Sequence, residues 1–372
     1  MKIIYLIAGT FNAGGMERVL SNKANWLVAH GNEVVIITTD QRGRSSYFSL
    51  DSRITTYDLN INYDENNGES FLKKALKFPV KQWRHRRRLE ALLKHLQADV
   101  VINMFNNDVS FTYKIHDGSR KILESHFSKQ KKLQYGRTGL WHLADRLRTL
   151  HEGEIVKKYD RFVVLTHEDK QLWGDLQNIV VIPNARTFES SQCADLKQKR
   201  VLSVGRLDYQ KGFDRLIDIW QRVEPQANGW QLDIVGSGPL NDDLQKKIDC
   251  HGLQSSVHIL SPTEDIVSIY LRSSIFVMTS RYEGLPMVLI EAQTVGLPIV
   301  AFACPCGPRD IITDNINGFL IEDGDEWRFS EQLMKLMHNN VLRQQMGEAA
   351  KKASDAYEVE HIMEMWQNLL CL

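Results

Sequence analysis

Two kinds of segment alternate along this chain: short runs that are apolar at successive positions, and longer stretches in which apolar residues recur every three or four places. The short runs of the first half are Ile3–Ile7, Val34–Thr38, Ile54–Leu59, Val100–Met104, Lys121–Glu124, Phe162–Leu165 and Ile179–Ile182. Unbroken apolar runs suit strands covered on both faces, and their alternation with helical patterns predicts βαβ units in a mostly parallel sheet. The pattern then starts anew, with runs at Val201–Val204, Leu232–Val235, Val257–Leu260, Ile275–Met278, Ile299–Phe302 and Phe319–Ile321. Between the two series lie Pro183-Asn184-Ala185-Arg186 and the polar stretch Ser190–Arg200, a composition that suits an interdomain linker. The predicted class is α/β, with two domains over residues 1–186 and 198–356 and a boundary near 184–198. Residues 357–372 carry Ile362, Met365, Trp366, Leu369 and Leu370 at helical spacing, so a last helix with one buried face is expected.

At 372 residues the chain exceeds the size at which one core stops growing, which agrees with two domains. Its 46 basic and 46 acidic residues balance, which argues against a surface built as a whole to grip nucleic acid. The opening Met1–Ala8 run leads straight into a glycine-rich turn and reads as a buried strand, not a signal peptide. No stretch approaches the roughly 18 apolar residues of a membrane span. The five cysteines are an odd number without zinc-site spacing, and Cys304-Pro-Cys306 has no second pair nearby, so reduced thiols in a cytoplasmic protein are expected.

Chemistry gathers where strands end. The first strand runs into Gly9-Thr10-Phe11-Asn12-Ala13-Gly14-Gly15-Met16-Glu17-Arg18, a glycine turn whose backbone amides can approach an anion at a helix N-terminus. It fits neither the dinucleotide nor the P-loop pattern. Val201–Val204 leads into Gly205-Arg206-Leu207-Asp208-Tyr209-Gln210-Lys211-Gly212, which sets two cations at the carboxyl end of a strand, where open α/β sheets bind ligands. A further glycine turn, Gly236-Ser237-Gly238-Pro239, follows the next strand. Ile275–Met278 leads into Thr279-Ser280-Arg281-Tyr282-Glu283-Gly284-Leu285-Pro286, with proline suited to the first helical turn and Glu291 inside the helix beyond. The apolar neighbours of Glu291 imply a buried carboxylate, which needs a partner. Asp323-Gly324-Asp325 has D-x-D spacing but reads as a turn in a late loop.

Taken together and in order, Gly14-Gly15-Met16-Glu17-Arg18, Gly205-Arg206 with Lys211-Gly212, and Glu283-Gly284-Leu285-Pro286 with Glu291, seven residues separating the two glutamates, resemble the retaining glycosyltransferase family four. Pro183-Asn184, Gly307-Pro308-Arg309-Asp310-Ile311-Ile312 and Asn317-Gly318-Phe319 extend the resemblance over nearly the whole chain. It implies the GT-B fold: two Rossmann-like domains facing each other across a cleft, an acceptor-binding first domain, a nucleotide-sugar-binding second domain, and a C-terminal helix crossing back to the first. It implies transfer, with retention and without a metal or other cofactor, of a hexose or N-acetylhexosamine from a nucleotide diphosphate sugar to a lipid-linked or polysaccharide glycan. Residue by residue, it assigns Gly14, Gly15, Arg206 and Lys211 to the donor diphosphate, Glu283 with the Gly284-Leu285-Pro286 turn to the transferred sugar, Glu291 to the ribose, and His126 to the active site beside that sugar. Ser261-Pro262-Thr263 departs from the family's usual glycine near the nucleotide base, so a UDP-sugar is expected from family frequency alone. A sugar-nucleotide epimerase or hydrolase, and a non-catalytic nucleotide-sugar-binding protein, remain the alternatives.

One stretch lies outside these motifs. Lys73, Lys74, Lys77, Lys81, Arg84, Arg86, Arg87 and Arg88 crowd residues 71–88, interleaved with Phe71, Leu72, Leu76, Phe78 and Trp83. Such a basic amphipathic stretch suits peripheral contact with the inner face of the cell membrane, where a lipid-linked acceptor would lie. A solvated helical face is the plainer reading.

Overall fold

A computed structural model describes residues 1–66, 71–131 and 140–371. The first unit comprises Met1–Leu165, Lys170–Ile182 and Met365–Leu372, and the second Thr166–Asp169 and Pro183–Glu364.

The first unit contains β1 (Lys2–Ile7), α1 (Gly15–Ala29), β2 (Glu33–Thr38), β3 (Thr55–Asp58), α2 (Phe71–Leu96), β4 (Val100–Asn103), β5 (Arg120–Glu124), α3 (Leu140–Val156), β6 (Arg161–Val164), most of α4 (His167–Trp173) and β7 (Ile179–Val181). Its strands form one parallel sheet in the order β3-β2-β1-β4-β5-β6-β7. In α1 the buried residues Val19, Leu20, Ala24, Leu27 and Val28 recur at helical spacing. Ile4, Leu6, Val35 and Val101 from the sheet pack with Leu89 and Leu93 of α2 in one apolar cluster. Leu123, Phe162 and Val164 pack with Ile155 and Val156 of α3 and Trp173 of α4 in another. Burial of large apolar groups contributes roughly 1.5–3 kcal/mol each.

The second unit runs through β8 (Arg200–Val204), α5 (Phe213–Val223), β9 (Gln231–Val235), α6 (Asn241–Cys250), β10 (Val257–Leu260), α7 (Ile266–Leu271), β11 (Ile275–Met278), α8 (Met287–Thr294), β12 (Ile299–Phe302), α9 (Pro308–Ile311), β13 (Gly318–Ile321), α10 (Glu326–His338) and α11 (Asn340–Ala353). The sheet is again parallel, in the order β10-β9-β8-β11-β12-β13. Its core joins Trp220 and Leu216 of α5, Phe329 and Leu333 of α10, and Val201, Ile275 and Phe302 from the strands. The last helix, α12 (Val359–Cys371), begins in the second unit, and its residues from Met365 onward belong to the first.

Every expected strand is present within a residue or two of its expected ends. The segment 184–198, expected as a linker, belongs to the second unit. There Arg186 is buried and ion-paired with Glu358, and its backbone amide donates to Tyr357 O (2.8 Å).

Sheet order locates the ligand positions. In each sheet the connections run outward in both directions from two central neighbours, β1 and β4 in the first and β8 and β11 in the second. Open α/β sheets bind ligands beyond the carboxyl ends of such strands.

Candidate active site

In the second unit, the loops following β8 and β11 are stitched together. Tyr209–Lys211 forms a single 3₁₀ turn, capped by the Asp208 carboxylate, which accepts from the Lys211 amide at 3.3 Å. Gly212 follows with φ +64°, and a Cβ there would lie 2.2 Å from Thr279 O, so only glycine fits without displacing the strand end. The Thr279 hydroxyl donates to Gly212 O (2.9 Å), the Arg281 amide to Gln210 O (2.7 Å), and the Arg281 guanidinium bidentately to Asp214 (2.9 and 2.6 Å).

This stitching brings Lys211 onto Glu283. The Lys211 ammonium donates to Glu283 Oε1 at 2.7 Å, and the Lys211 stem lies over Gly205, where a Cβ would come within 3.2 Å of it. Glu283 is itself held through its backbone, its amide donating to Pro305 O (2.8 Å) and its carbonyl accepting from the Cys306 amide (3.2 Å). Burial disfavours the charge on Lys211, but Glu283 and Asp208 outweigh burial and hold it above the ordinary lysine value. Arg206 stands apart from this pair: its side chain is 71% exposed, its Nε 3.7 Å from Asp208 Oδ2.

Gly284, Leu285 and Pro286 form the turn that starts α8. Pro286 is the residue before the first helical position, one place earlier than proline's usual site, and the helix opens at Met287. Helix geometry leaves first-turn amides without intrahelical acceptors. The buried Glu291 has its partners: Oε1 accepts from the Thr187 hydroxyl (2.7 Å) and Oε2 from the Tyr270 phenol (2.8 Å). Two residues outside the recognised motifs therefore shape this carboxylate. Gly236 and Gly238 serve packing, since Cβ atoms there would lie 1.9 and 2.4 Å from the carbonyl oxygens of Gly205 and Leu207.

Asp325 caps α10, accepting from the Arg328 amide (2.9 Å), and Asp323 pairs with Arg215 (2.7 Å). The D-x-D segment is thus a helix-starting turn around Gly324 (φ +91°). The five cysteines form no disulfide with one another, and Cys304 and Cys306 are buried. Among the described residues no group of His, Cys, Asp and Glu has the arrangement of a metal site.

In the first unit, Gly14 precedes α1 with extended backbone (φ −87°, ψ 157°), and Gly15 is the first helical residue. A Cβ at Gly15 would meet nothing within 4 Å, and the atoms nearest to one at Gly14 belong to the flexible Glu17 side chain. Neither glycine is required by the fold. A cavity of about 570 Å³ opens beside them, lined by Gly9 and Met16 and by Asp40, Tyr63, Phe78 and Lys81.

His126 lies two residues beyond β5, and its side chain is only 5% exposed. The ring faces inward, Nε2 standing 3.1 Å from Glu124 Oε1 but off the line of a good hydrogen bond, so the contact is chiefly electrostatic. Glu124 accepts two bonds from the Lys23 ammonium, at 2.6 and 2.7 Å. Burial pushes the Glu124 carboxyl up, but Lys23 and His126 outweigh it and bring it down to about 2. Burial holds Lys23 below the ordinary lysine value despite this partner. Lys23 was not singled out in the sequence. Its signal is positional, a lysine at a core position of α1 between Leu20 and Leu27.

The sequence matches two family models, Glycosyltransferase Family 4 over residues 13–187 and Glycosyl transferases group 1 over residues 185–353. An uncharacterized glycosyltransferase of Haemophilus influenzae is 33% identical, and the amylovoran biosynthesis glycosyltransferase AmsD of Erwinia amylovora 31% identical, each over 99% of both chains. A Campylobacter jejuni N-acetylgalactosaminyltransferase that acts on an undecaprenol-linked glycan is 26% identical over 100% of this chain and 98% of its own. Among solved structures, S. aureus TarM in complex with UDP superposes with a TM-score of 0.78 at 19% identity over 99% of both chains. The lipopolysaccharide-biosynthesis glycosyltransferase WaaG superposes with 0.74 at 18%, also over 99% of both. Both are likenesses of fold. With its two parallel-sheet domains and its motifs in family order, this chain belongs to the family 4 glycosyltransferases of GT-B fold.

Proposed function

We propose that the protein transfers a hexose or N-acetylhexosamine, with retention of anomeric configuration, from a UDP-sugar to a lipid-linked or polysaccharide glycan. The observation that carries this reading is the Lys211–Glu283 pair, set beyond β8 and β11 where the second sheet changes direction. Cleaving a glycosyl phosphate bond leaves growing negative charge on the diphosphate while the sugar becomes oxocarbenium-like. Lys211 and Arg206 supply fixed positive charge to the departing diphosphate, and the amides at Gly14, Gly15, Gly284 and Leu285 supply hydrogen-bond donors. Glu283 accepts from hydroxyls of the transferred sugar, Glu291 from the ribose, and His126 stands beside the sugar. With charge stabilisation assigned to these groups, the reaction runs without a metal ion.

Two relatives' names support the nature of donor and acceptor: TarM is solved with UDP, and the Campylobacter enzyme acts on an undecaprenol-linked glycan. In the first unit the 570 Å³ cavity, with Asp40 and Asp64 to accept from hydroxyls and Tyr63 and Phe78 to cover apolar sugar faces, suits a glycan acceptor. Beside it, α2 exposes Phe78, Val80 and Trp83 next to Arg84, Arg86, Arg87 and Arg88, an arrangement suited to an anionic membrane surface. The side chains of residues 71–75, Lys73 and Lys74 among them, lie outside the described residues. No helix is long and apolar enough to cross a membrane among the described residues.

The donor test is thermal stabilisation by a panel of UDP- and GDP-sugars, because a ligand that binds the folded state raises its melting temperature by mass action. One UDP-sugar is expected to stabilise the protein and to lose its sugar with retained configuration on adding acceptor. Stabilisation by none of the panel, or release of an inverted product, overturns the reading. Vesicles containing anionic phosphatidylglycerol are expected to capture the protein at low salt, and failure to do so removes the membrane role of α2.

A further inference from the structure

Lys23 and Glu124 are 101 residues apart in sequence and form an ion pair inside the first unit, with side chains 6% and 1% exposed. A buried ion pair is a costly way to fill a core, because both charges leave water and apolar residues of the same volume would pack at no electrostatic cost. Its geometry suggests what it is kept for. Lys23 sits on α1 about two turns beyond Gly15, roughly 12 Å along the helix. Glu124 is the last residue of β5, two before His126, and the oxygen that accepts from Lys23 at 2.6 Å is the one facing the imidazole at 3.1 Å. Trp366 of α12 closes the other side, its ring centroid 3.8 Å from the ammonium, so the charge is ringed by a carboxylate and an aromatic face.

We infer that Lys23 and Glu124 are positioning residues for the transfer site, resting on the reading above that Gly15 and His126 act there. The pair ties the helix that presents the Gly15 amide to the strand end that presents His126, and Glu124 draws the imidazole inward. With its side chain almost wholly covered and the residue as a whole half-buried, the accessible part of His126 is its backbone. The ring is therefore an anchor that sets the path of the chain after β5.

A merely structural pair and a positioning pair respond differently when both charges go. In the 372-residue chain, Lys23→Met alone or Glu124→Leu alone strands a buried charge and is expected to lower Tm by roughly 10 °C. Lys23→Met with Glu124→Leu removes the stranded charge and is expected to return Tm to within about 3 °C of the parent. Release of UDP is then measured with UDP-glucose, UDP-galactose and their N-acetyl counterparts, using whichever turns over fastest. Under the positioning reading the double variant stays at least about 10-fold low in kcat, with donor KM within about threefold. Glu124→Asp, which keeps the charge but withdraws it from His126, falls in kcat while holding most of its Tm. Recovery of both Tm and kcat in the double variant, or an unimpaired Glu124→Asp, overturns the inference. His126→Ala separates the two levels of the argument: full turnover there overturns the assignment of His126 and the inference with it, whereas an impaired His126→Ala beside a fully active double variant overturns the role of the pair alone.

Discussion

The two units use glycine in opposite ways. In the second, the site loops are packed against one another so tightly that backbone atoms occupy the space of a side chain: Cβ atoms at Gly212, Gly236 and Gly238 would lie 2.2, 1.9 and 2.4 Å from carbonyl oxygens. In the first, Gly15 at the start of α1 has no neighbour within 4 Å of where its Cβ would be, and Gly14 is in ordinary extended backbone. A glycine that the fold does not need, at a helix N-terminus beside a cavity, points to close approach by something that is not protein. The same contrast holds for charge. The first unit hides the Lys23–Glu124 pair in its interior, while the second leaves the Lys211–Glu283 pair at the carboxyl edge of its sheet, the lysine side chain 19% exposed.

The sharpest way to test this contrast is to remove the cation at the edge. Lys211→Ala is expected to lower transfer by about 10²–10³, the usual cost of one charge-stabilising donor at a water-poor site, equivalent to roughly 3–4 kcal/mol. Arg206→Ala carries the same expectation, and its exposed side chain makes it the cleaner variant because little packing is lost with it. Turnover near the parent level in both removes the diphosphate assignment.

Glycine substitutions set the two units directly against each other. Gly212→Ala is expected to destabilise the protein by roughly 3 kcal/mol, since positive φ and a backbone clash add. Gly15→Ala is expected to leave Tm within the effect of about 0.5 kcal/mol while slowing transfer by about 10-fold, because the methyl group holds the diphosphate away from the first-turn amides. Chemical denaturation and initial rates on the same preparations distinguish the two outcomes. A destabilised Gly15→Ala with unchanged rate would erase the contrast.

What could be read beforehand follows from the range of the interaction involved. Parallel strands buried on both faces leave unbroken apolar runs, so Val100–Asn103 and Ile299–Phe302 announce themselves to within a residue, whereas the run Ile54–Leu59 exceeds the exposed edge strand Thr55–Asp58 at both ends. Local turn chemistry was equally legible at Asp323-Gly324-Asp325, where the cap and the left-handed glycine lie within three residues. Polar pairings across the fold were not. Nothing near Glu291 in sequence names Thr187 or Tyr270 as its partners, and nothing near Glu124 names Lys23. The direction of the His126 ring was hidden for the same reason.

One member of each ion pair contributes toward opposite ends of the pH scale. Glu124 is held below the ordinary carboxylate value, down to about 2, so its contribution to stability is full above the ordinary 4.5 and lost as pH falls toward 2. Lys211 is held above the ordinary 10.5, so its contribution is full below that value and lost only as pH rises through the raised one. Acid titration of the parent protein is expected to show a loss of stability between pH 4.5 and 2 that the Lys23→Met, Glu124→Leu double variant lacks. The same loss in both would detach it from this pair.

The smallest expected effect is none at all, and it bears on how the second unit does its electrostatic work. If Lys211 and Arg206 supply the positive charge that a departing diphosphate requires, a divalent cation has no position left to improve on theirs. The one segment with metal-like spacing is already committed, Asp325 to capping α10 and Asp323 to Arg215. Transfer in excess EDTA is therefore expected to match transfer without it. Asp323→Asn is expected to leave the rate unchanged, and Asp325→Ala to cost about 1 kcal/mol of stability, as for a lost helix cap. Strict dependence on added manganese, with the rate falling in Asp323→Asn, would move the charge stabilisation from the lysine and arginine to a metal and reverse the functional contrast between the D-x-D turn and the Lys211 loop.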